Sequence, residues 1–573
     1  MRTKVFAFIA FFFFGILIFG LFYTQALKYE YYKGLSERNR IRVIPLEAPR
    51  GKIYDRSGRL LVSNRIAFDV EVIFQEIKDE NKTVDLLSGI LAIDRRALEK
   101  KIDAARKRPF APAKIAKDIE KEKAIRVEEI SLDLPGVIVT TRPLRNYLYK
   151  NSLSHVTGYI GKISEPELAK YKVYGYRMQD FVGKDGIERA FNDYLRGVDG
   201  GLQVEVDSRG RQINILAIKE ARQGRNLYLT IDIELQEFCH ELLKEKTGAI
   251  VVMDPSTGAI LALVSQPDFD PNAFVSPQRS GEVSRLLNDS GSFPMINRAI
   301  SGTYPPGSVF KIAVFAAALD TGKFNDTKTF FCDGSHRVGN RVFHCWKEEG
   351  HGAQNVRNGI KNSCNVFFYQ LGLFLGVDEI SKYAFKMGLG RPAGIDLPGE
   401  VSGLVPTPSW KRRKLKQSWF KGETANYAIG QGYLLVTPLQ IVRFLGAIAS
   451  GGNLPQPYVV ERIEDIKSRR TEAEDTGIRH KVLEALKVGL GDVINAKGGT
   501  GYYARSKEVI IAGKTGTAQN PHGDSHAWFA GFAPIDDPRI CVVVFIEQGG
   551  KGGLAPARSA KKIIEETKKL GLL

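Results

Sequence analysis

YPPGSVFKIAVFAAAL, residues 304–319, is the stretch from which the fold and chemistry of this chain can be worked out. Proline and glycine interrupt the chain, and a strongly apolar helix is predicted to begin near Ser308. Ser308 then lies at the helix N-terminus, where free backbone N–H groups and the helix dipole favour developing negative charge. Lys311 shares its face, and an amine pressed against an apolar helix tends to lose its proton. The pair is a candidate nucleophile and base. An N-capping serine followed by a solvated lysine would give the same sequence pattern.

Two further segments strengthen the chemical interpretation. Ser363-Cys364-Asn365 follows a predicted loop, and an extended backbone would turn Ser363 and Asn365 to the same side, with Cys364 pointing away. Lys514-Thr515-Gly516-Thr517 comes directly after a predicted apolar strand at 508–512. There Lys514 offers a cation for a substrate carboxylate, Thr515 and Thr517 offer hydroxyl groups, and Gly516 leaves room for a substrate backbone to pair along the strand. The backbone N–H groups of Ser308 and Thr517 are candidate oxyanion-hole donors.

Four soft ligands have the spacing of a metal site. They are Cys332, Cys345, His351 and Cys364, in the pattern C-x12-C-x5-H-x12-C. Three thiols and an imidazole complete a tetrahedral zinc shell with no open position, which predicts a structural site. A disulfide is the alternative in an exported protein, but it would leave one of these three cysteines unpaired and His351 unused.

Other histidines and cysteines are weaker metal candidates. His336 and His344 are spare imidazoles that can substitute in the predicted zinc site. His522, Asp524 and His526 lack an evident fourth ligand, and a polar hairpin turn is the favoured interpretation. Cys239, on an apolar helical stripe, and Cys541, in an apolar strand, are predicted to be core residues.

The chain has 573 residues and a formal net charge of +18, which suits an anionic partner. Arg2 and Lys4 precede an uncharged apolar run at 5–23, long enough at about 28 Å to cross the hydrocarbon of a bilayer. The run lacks the small-residue cleavage site of a signal peptide, so we expect an uncleaved anchor at 1–27. The basic N-terminus predicts a cytoplasmic tail and an extracytoplasmic remainder, which argues against nucleic acid as a partner.

The remaining chain changes character near residue 230. Short β-type runs and a charged helical insertion at 78–130 predict a β-rich pedestal module at 28–230 that carries no catalytic constellation. From 231 to 573, hairpin-like runs at 248–254 and 259–264, helices over 308–450 and strands near the end predict an antiparallel sheet covered by helices. The predicted class is α+β, with a transmembrane helix, a pedestal and a C-terminal domain.

Ser-x-x-Lys, Ser-x-Asn and Lys-Thr-Gly, in this order, resemble the three motifs of penicillin-binding proteins and serine β-lactamases. The wider resemblance is to class B penicillin-binding proteins and above all to the penicillin-binding protein 2 members. It extends over RGKIYDRSG at 50–58, GKDGIE at 183–188, 248–267, GQGY at 430–433 and WFAGF at 528–532. These segments span nearly the whole chain after the anchor.

The resemblance implies a peptidoglycan D,D-transpeptidase or carboxypeptidase of the inner membrane that acts in cell elongation. Ser308, activated by Lys311, would attack the penultimate D-alanine carbonyl of a stem peptide, with Ser363, Asn365 and Lys514 relaying protons. β-Lactams would acylate the same serine, and no cofactor is needed for the chemistry. The implied partners are a SEDS-type glycan polymerase and cell-shape scaffold proteins. Some relatives carry zinc in the same segment, with aspartates where this chain has cysteines.

Three alternatives share these motifs. A β-lactam hydrolase or sensor would need fast deacylation or signalling, and the large N-terminal module and lack of an obvious deacylating glutamate argue against it. A non-catalytic scaffold on the same fold would not need the intact serine, lysine and asparagine side chains. A division-type transpeptidase differs in cellular role rather than in chemistry.

Overall fold

The structure is a computed structural model that describes residues 2–107, 109, 111–178, 180–207, 212–468, 471–521 and 523–573. It divides into two compact units that alternate along the chain. The first comprises Met1–Gly51, Asn64–Leu144 and Arg196–Gly224, and the second comprises Lys52–Ser63, Arg145–Leu195 and Arg225–Leu573. The division into 28–230 and 231–573 that the sequence suggests stays a prediction.

The helices and strands are numbered along the chain. The helices of the described residues are α1 (Arg2–Phe22), α2 (Tyr29–Arg40), α3 (Glu80–Leu91), α4 (Arg95–Ala105), α5 (Lys121–Glu129), α6 (Ser154–Thr157), α7 (Glu165–Tyr171), α8 (Gly186–Ala190), α9 (Asn192–Leu195), α10 (Ile233–Leu243), α11 (Ser280–Asn288), α12 (Lys311–Asp320), α13 (Val356–Lys361), α14 (Asn365–Leu375), α15 (Val377–Lys386), α16 (Pro408–Leu415), α17 (Lys421–Ala428), α18 (Pro438–Ala449), α19 (His480–Asn495) and α20 (Ala555–Lys569). The strands are β1 (Ile41–Leu46), β2 (Ile53–Tyr54), β3 (Leu60–Val72), β4 (Ala113–Ile119), β5 (Val137–Tyr147), β6 (Ile160–Lys162), β7 (Phe181–Gly183), β8 (Gly200–Val206), β9 (Gln212–Lys219), β10 (Leu227–Leu229), β11 (Gly248–Met253), β12 (Ile260–Gln266), β13 (Phe330–Cys332), β14 (Ser335–Val338), β15 (Arg341–His344), β16 (Gly352–Gln354), β17 (Asn453–Leu454), β18 (Val460–Ile463), β19 (Ile466–Lys467), β20 (Glu474–Asp475), β21 (Ala512–Asn520), β22 (Gly523–Ala533) and β23 (Ile540–Ile546).

The N-terminal helix is the one helix of the described residues that is long and apolar enough to cross a membrane. The apolar span Lys4–Leu27 covers 24 residues and none of its most apolar window is buried against protein. It consists of α1 and a π-helical turn, Tyr23–Leu27. Exposed phenylalanine, isoleucine and leucine side chains along α1 are what a lipid-facing helix requires.

The first unit combines a three-stranded sheet, in the order β1-β8-β9, with a helical layer. Helices α3 and α4 bury Val84, Leu87, Leu98 and Ile102 in one cluster with residues of β3 and β4. The segment 78–130 was expected to be helical throughout, and β4 corrects this expectation. Its sequence, AKIAKDI, supplies Ile115 and Ala116 to that cluster. Burial of these two side chains outweighs the helical propensity of the neighbouring lysines.

The second unit is built on a five-stranded antiparallel sheet in the order β12-β11-β23-β22-β21. Alternate residues of the central strands enter two separate cores, as the two-residue period of a strand requires. Val251 and Val543 belong to the core that includes α12, α14 and α18, whereas Val252 and Val544 belong to the core that includes α10 and α20. The predicted antiparallel sheet with packed helices is confirmed, and Cys239 and Cys541 are buried in these cores as expected.

Two predicted boundaries in this unit are wrong. The strand expected at 508–512 begins only at Ala512, and Ile510 is exposed rather than buried in the sheet. The region 308–450 was expected to be helical, yet it contains β13 to β16, which form two small hairpin-like sheets, β13-β16 and β14-β15. These short strands occur where cysteine and histidine side chains converge.

Candidate active site

Ser308 lies in a tight turn that leads into a buried helix. Gly307–Phe310 forms one turn of 3-10 helix, and α12 proper begins at Lys311 rather than at Ser308. Gly307 has a φ of +53°, and a Cβ atom there would come within 2.6 Å of the Thr517 carbonyl oxygen. Glycine is therefore needed at this position, because the turn adopts a left-handed conformation and presses directly against β21.

Two buried lysines meet at the hydroxyl of Ser363. Lys311 Nζ donates hydrogen bonds to the Ser363 carbonyl oxygen at 2.8 Å, to Asn365 Oδ1 at 2.7 Å and to Ser363 Oγ at 3.3 Å. Lys514 Nζ donates to Ser363 Oγ at 2.9 Å and to the Thr515 carbonyl oxygen at 3.0 Å. Both lysine side chains are fully buried. The structure thus joins the three motifs of the sequence into one hydrogen-bond network.

Ser308 and its predicted base, Lys311, are not hydrogen-bonded to each other in the described part of the chain. In the part of the chain that the structure describes, Lys311 Nζ donates to Ser363 and Asn365 and not to Ser308 Oγ. The two residues are one turn apart, and Ser308 is half-exposed whereas Lys311 is buried. Catalytic hydrogen bonds commonly tighten only when substrate binds, so this arrangement fits a ligand-free site.

Burial changes the protonation of both amines. It lowers the pKa of Lys311 to about 8, and the electrostatic influence of the nearby Cys364 and Cys345 sulfur atoms recovers only part of the loss. Burial also lowers the pKa of Lys514 well below its usual value, and the nearby positive charge of Lys311 lowers it further. A lower pKa raises the fraction of neutral amine near neutral pH, and the neutral amine is the form that can accept the proton of Ser308.

The Ser-x-Asn segment has a different backbone from the extended one expected. Ser363 is left-handed, with a φ of +51°, Cys364 caps the N-terminus of α14, and Asn365 is the first residue of that helix. Ser363 and Asn365 nevertheless both reach Lys311, because the left-handed residue reverses the chain just before the helix. Cys364 is fully buried and turned away from them, as predicted.

The Lys-Thr-Gly segment lies inside β21 rather than after a strand. β21 is at the edge of the described sheet, so its outer edge is open to an added strand, whereas its inner edge pairs Gly516 with Trp528 of β22. Thr515 is buried and Thr517 is exposed. A Cβ atom at Gly516 would lie 2.8 Å from the Pro306 carbonyl oxygen, so glycine allows the nucleophile turn to contact this strand.

Three supporting residues were not assigned a role from the sequence. The Gly307 N–H donates to the Gly430 carbonyl oxygen at 3.0 Å, and Trp528 Nε1 donates to the Pro305 carbonyl oxygen at 3.1 Å, which fixes the turn before Ser308 from two sides. Trp346 Nε1 donates to the Ser363 carbonyl oxygen at 3.2 Å. Gly430 and Trp528 lie in segments that carry the family resemblance, which is the one signal that could have identified them.

The four predicted metal ligands converge. The ligand atoms of Cys332, Cys345, His351 and Cys364 all lie within 4.8 Å of one another. His351 Nδ1 is 3.7 Å from Cys332 Sγ and 3.5 Å from Cys345 Sγ. All five cysteines of the chain carry free thiols in this structure, so the alternative of a disulfide is not formed here.

The thiols of this cluster are electrostatically coupled. The hydrogen bond from Cys364 lowers the pKa of Cys345, and the same pairing raises the pKa of Cys364. Cys364 Sγ also accepts a hydrogen bond from the Phe367 N–H at the start of α14. Cys345 is therefore the thiol of this pair that loses its proton more readily, and the thiolate is the form of cysteine that binds a metal.

The remaining histidine candidates stay apart from this cluster. His336 and His344 lie on the β14–β15 hairpin, and neither contributes to the group of four. His522 lies outside the described residues. His526 Nδ1 accepts a hydrogen bond from the Gln548 N–H, and its ring packs against Tyr304, so it has ordinary structural contacts.

The fold and this geometry define a class of serine acyltransferase with a buried lysine, and comparison with known proteins specifies the family. The family profile described as penicillin binding protein transpeptidase domain matches residues 248–565, and that of the penicillin-binding protein dimerisation domain matches 45–229. The peptidoglycan D,D-transpeptidase MrdA of Escherichia coli (strain K12) is 34% identical over 94% of this chain and 89% of the relative.

Two solved structures are also similar. The complex between penicillin-binding protein PBP2 and MreC from Helicobacter pylori matches with a TM-score of 0.83 and 29% identity, covering 93% of this chain and 99% of that one. A structure described as structural coordination of polymerization and crosslinking by a peptidoglycan synthase complex matches with a TM-score of 0.75 and 30% identity, covering 98% and 97%. The chain belongs to the penicillin-binding protein transpeptidase family and is similar to its PBP2 members.

The contact between β21 and the nucleophile turn can be tested with Gly516→Ala. The added methyl group would meet Pro306 and Val309, at 2.8 and 3.0 Å, and displace Ser308 from the strand. We expect the rate of acylation by a fluorescent penicillin to fall about 100-fold, since misplacement by about 1 Å has this cost. Gly281→Ala is the control, because nothing lies within 4 Å of a Cβ atom there. Equal labelling rates for the two variants would contradict the close contact.

Proposed function

We propose that this protein is a membrane-anchored peptidoglycan D,D-transpeptidase of the elongation type and a target of β-lactams. The observation that carries the proposal is the network in which Lys311 and Lys514 converge on Ser363, beside an edge strand that touches the Ser308 turn. An open strand edge suits an extended peptide substrate, and a half-exposed hydroxyl beside it suits attack on that peptide.

Acylation follows from the position of the buried amines. Ser308 Oγ attacks the carbonyl carbon of the penultimate D-alanine, and its proton passes to the neutral amine of Lys311. The backbone N–H groups of Ser308 and Thr517 would stabilise the oxyanion. As the tetrahedral species collapses, the amide C–N bond breaks, the terminal D-alanine leaves with a proton relayed through Ser363, and an ester to Ser308 remains.

Deacylation reverses these roles with a second substrate. The amine of another stem peptide attacks the ester carbonyl and loses a proton to the relay, and the ester C–O bond breaks so that Ser308 recovers its hydroxyl. Asn365 holds Lys311 in place through its 2.7 Å hydrogen bond. Thr515, Gly516 and Thr517 of β21 bind the substrate backbone, and Lys514 supports the relay and the substrate carboxylate. The new amide is the crosslink.

Location and partners follow from the anchor and from the relatives. The apolar span Lys4–Leu27 supports a single-pass protein of the inner membrane, and the basic residues before it favour a cytoplasmic N-terminus and an extracytoplasmic catalytic unit. The similarity to a PBP2–MreC complex and to a peptidoglycan synthase complex supports a cell-shape scaffold and a SEDS-type glycan polymerase as partners.

Labelling with a fluorescent penicillin tests the proposed nucleophile. The full-length protein should bind one penicillin per chain and release it slowly, and Ser308→Ala should reduce labelling by at least about 1,000-fold, because the attacking atom is removed. Ser284→Ala, at an exposed serine of α11, should label normally. Fast turnover of the penicillin would favour the hydrolase alternative, and unchanged labelling of Ser308→Ala would contradict the assignment.

We also propose that Cys332, Cys345, His351 and Cys364 hold a structural zinc ion. Tetrahedral zinc, with bonds of about 2.3 Å to sulfur and about 2.0 Å to nitrogen, keeps sulfur and nitrogen ligands about 3.5 Å apart. The separations of 3.7 and 3.5 Å around His351 Nδ1 fit this requirement. When bound, zinc would stabilise the fold and take no part in the reaction, because four protein ligands leave no open coordination position.

The position of the fourth ligand, Cys364, indicates which part of the active site the zinc ion would stabilise. Cys364 lies between Ser363 and Asn365, the two residues that bond Lys311, and it caps α14. Cys332, Cys345 and His351 come from the small strands β13 to β16 and their connections. Joining them to Cys364 would hold the left-handed Ser363 in its conformation, which otherwise costs energy for a residue with a side chain.

Elemental analysis of the purified protein tests the zinc site. We expect about one zinc per chain, strongly reduced in Cys345→Ser, because three ligands bind zinc far less tightly than four. Cys239→Ser is the matched control, since Cys239 is a buried core residue of α10 outside the cluster, and its zinc content should be unchanged. Metal-free protein with a mapped disulfide among the three ligand cysteines would end the proposal.

A further inference from the structure

A strongly basic segment leads into α17, the helix whose Tyr427 packs against the nucleophile turn, and takes no part in the chemistry described above. Residues 401–422 contain six lysines and arginines and no aspartate or glutamate. Five of the six are exposed, and we call these five the basic ridge: Arg412, Arg413, Lys414, Lys416 and Lys421. The structure gives them no ion-pair partner among the described residues, so their charge is available to a ligand.

The sixth cation explains why the ridge has a fixed shape. Lys411 is almost fully buried, and its Nζ donates to the Ser418 carbonyl oxygen at 2.9 Å and to Glu423 Oε1 at 2.5 Å. The same atom lies 4.7 Å from the centre of the Phe420 ring, within cation–π range. The loop between α16 and α17 is thus tied back onto one buried lysine, which turns the other cations outward.

The ridge is connected to the nucleophile turn through α17. Helix α17 begins at Lys421, the last residue of the ridge, and ends two residues before Gly430, whose carbonyl oxygen accepts the Gly307 N–H beside Ser308. The ring of Tyr427 in α17 stacks on Phe310, two residues after Ser308, with ring centres 5.0 Å apart. One end of the ridge is thus joined to the nucleophile turn by a single helix of eight residues, about 12 Å long.

We propose that the basic ridge binds the carboxylates of a peptidoglycan strand and so holds the substrate beside Ser308; this rests on the proposed function. Five cations over ten residues exceed what one peptide carboxylate needs. A strand that carries many stem peptides presents repeated carboxylates and matches a row of positive charges. The exposed ring of Phe420 adds an apolar surface of the kind on which sugar rings pack.

The test compares charge reversal on the ridge with charge reversal elsewhere. The variant Arg412→Glu/Arg413→Glu/Lys414→Glu in the full-length protein should bind purified, teichoic-acid-free peptidoglycan sacculi about tenfold more weakly than the unmodified protein. Lys481→Glu/Lys507→Glu/Lys562→Glu changes the net charge equally at three exposed positions and should bind normally. Raising the salt to 1 M should remove the difference, because it shortens the screening length to about 3 Å.

Two further measurements separate this inference from its alternatives. Sacculi whose carboxylates have been amidated should bind the unmodified protein and the ridge variant equally weakly. Penicillin labelling should stay within about twofold in the ridge variant, because a small acylating agent does not extend to the ridge. A failure of the proposed function would instead abolish labelling of the unmodified protein.

Three outcomes would overturn the inference. The first is normal binding of intact sacculi by the ridge variant. The second is a tenfold loss that persists on amidated sacculi, since carboxylates would then not be the groups recognised. The third is a ridge-dependent association of nanodisc-embedded protein with anionic lipid vesicles but not with sacculi, which would assign the charges to a lipid surface.

Discussion

Two lysine amines are buried on either side of one serine hydroxyl, and the rest of the catalytic unit is arranged to keep them there. Lys311 and Lys514 both donate to Ser363 Oγ, and water is excluded from both. Burial of a charged amine is costly unless it is paired, so each of them is driven toward its neutral form. Among the described residues, neither lysine has a carboxylate partner. Because no such partner stabilises the charged form, the amine can lose its proton and act as a base.

The packing around these amines constrains the helix and the strand that carry them. Helix α12 must be apolar on all sides because it lies in the core, and Lys311 is its first residue. The strand β21 must lie at a sheet edge to accept a substrate, yet its Lys514 must be buried. Glycines at 307, 430 and 516 allow the nucleophile turn, its supporting loop and the strand to approach within contact distance. A larger side chain at any of these positions would separate the motifs.

The sequence predicted the chemistry better than the local backbone. Lys311, Ser363, Asn365 and Lys514 meet in one hydrogen-bond network, and Ser308 lies one turn before Lys311, so the short motifs identified residues that the fold brings together. The backbone around them was harder to predict, since β21 carries a lysine and threonines where a buried strand usually has apolar residues, and the apolar 509–511 lie outside it. Ser363 is left-handed, which no local propensity indicates. Such departures from simple patterns are expected at functional sites.

The central claim is that burial leaves Lys311 neutral enough to accept the proton of Ser308. The most direct measurement is the second-order rate constant for acylation by a penicillin between pH 6 and pH 10. Because the neutral amine is the active form and burial lowers the pKa of Lys311 to about 8, the rate should rise about tenfold per pH unit below that value and level off above it. A rate independent of pH, or one that levels off only near the ordinary lysine pKa of about 10.4, would contradict the account.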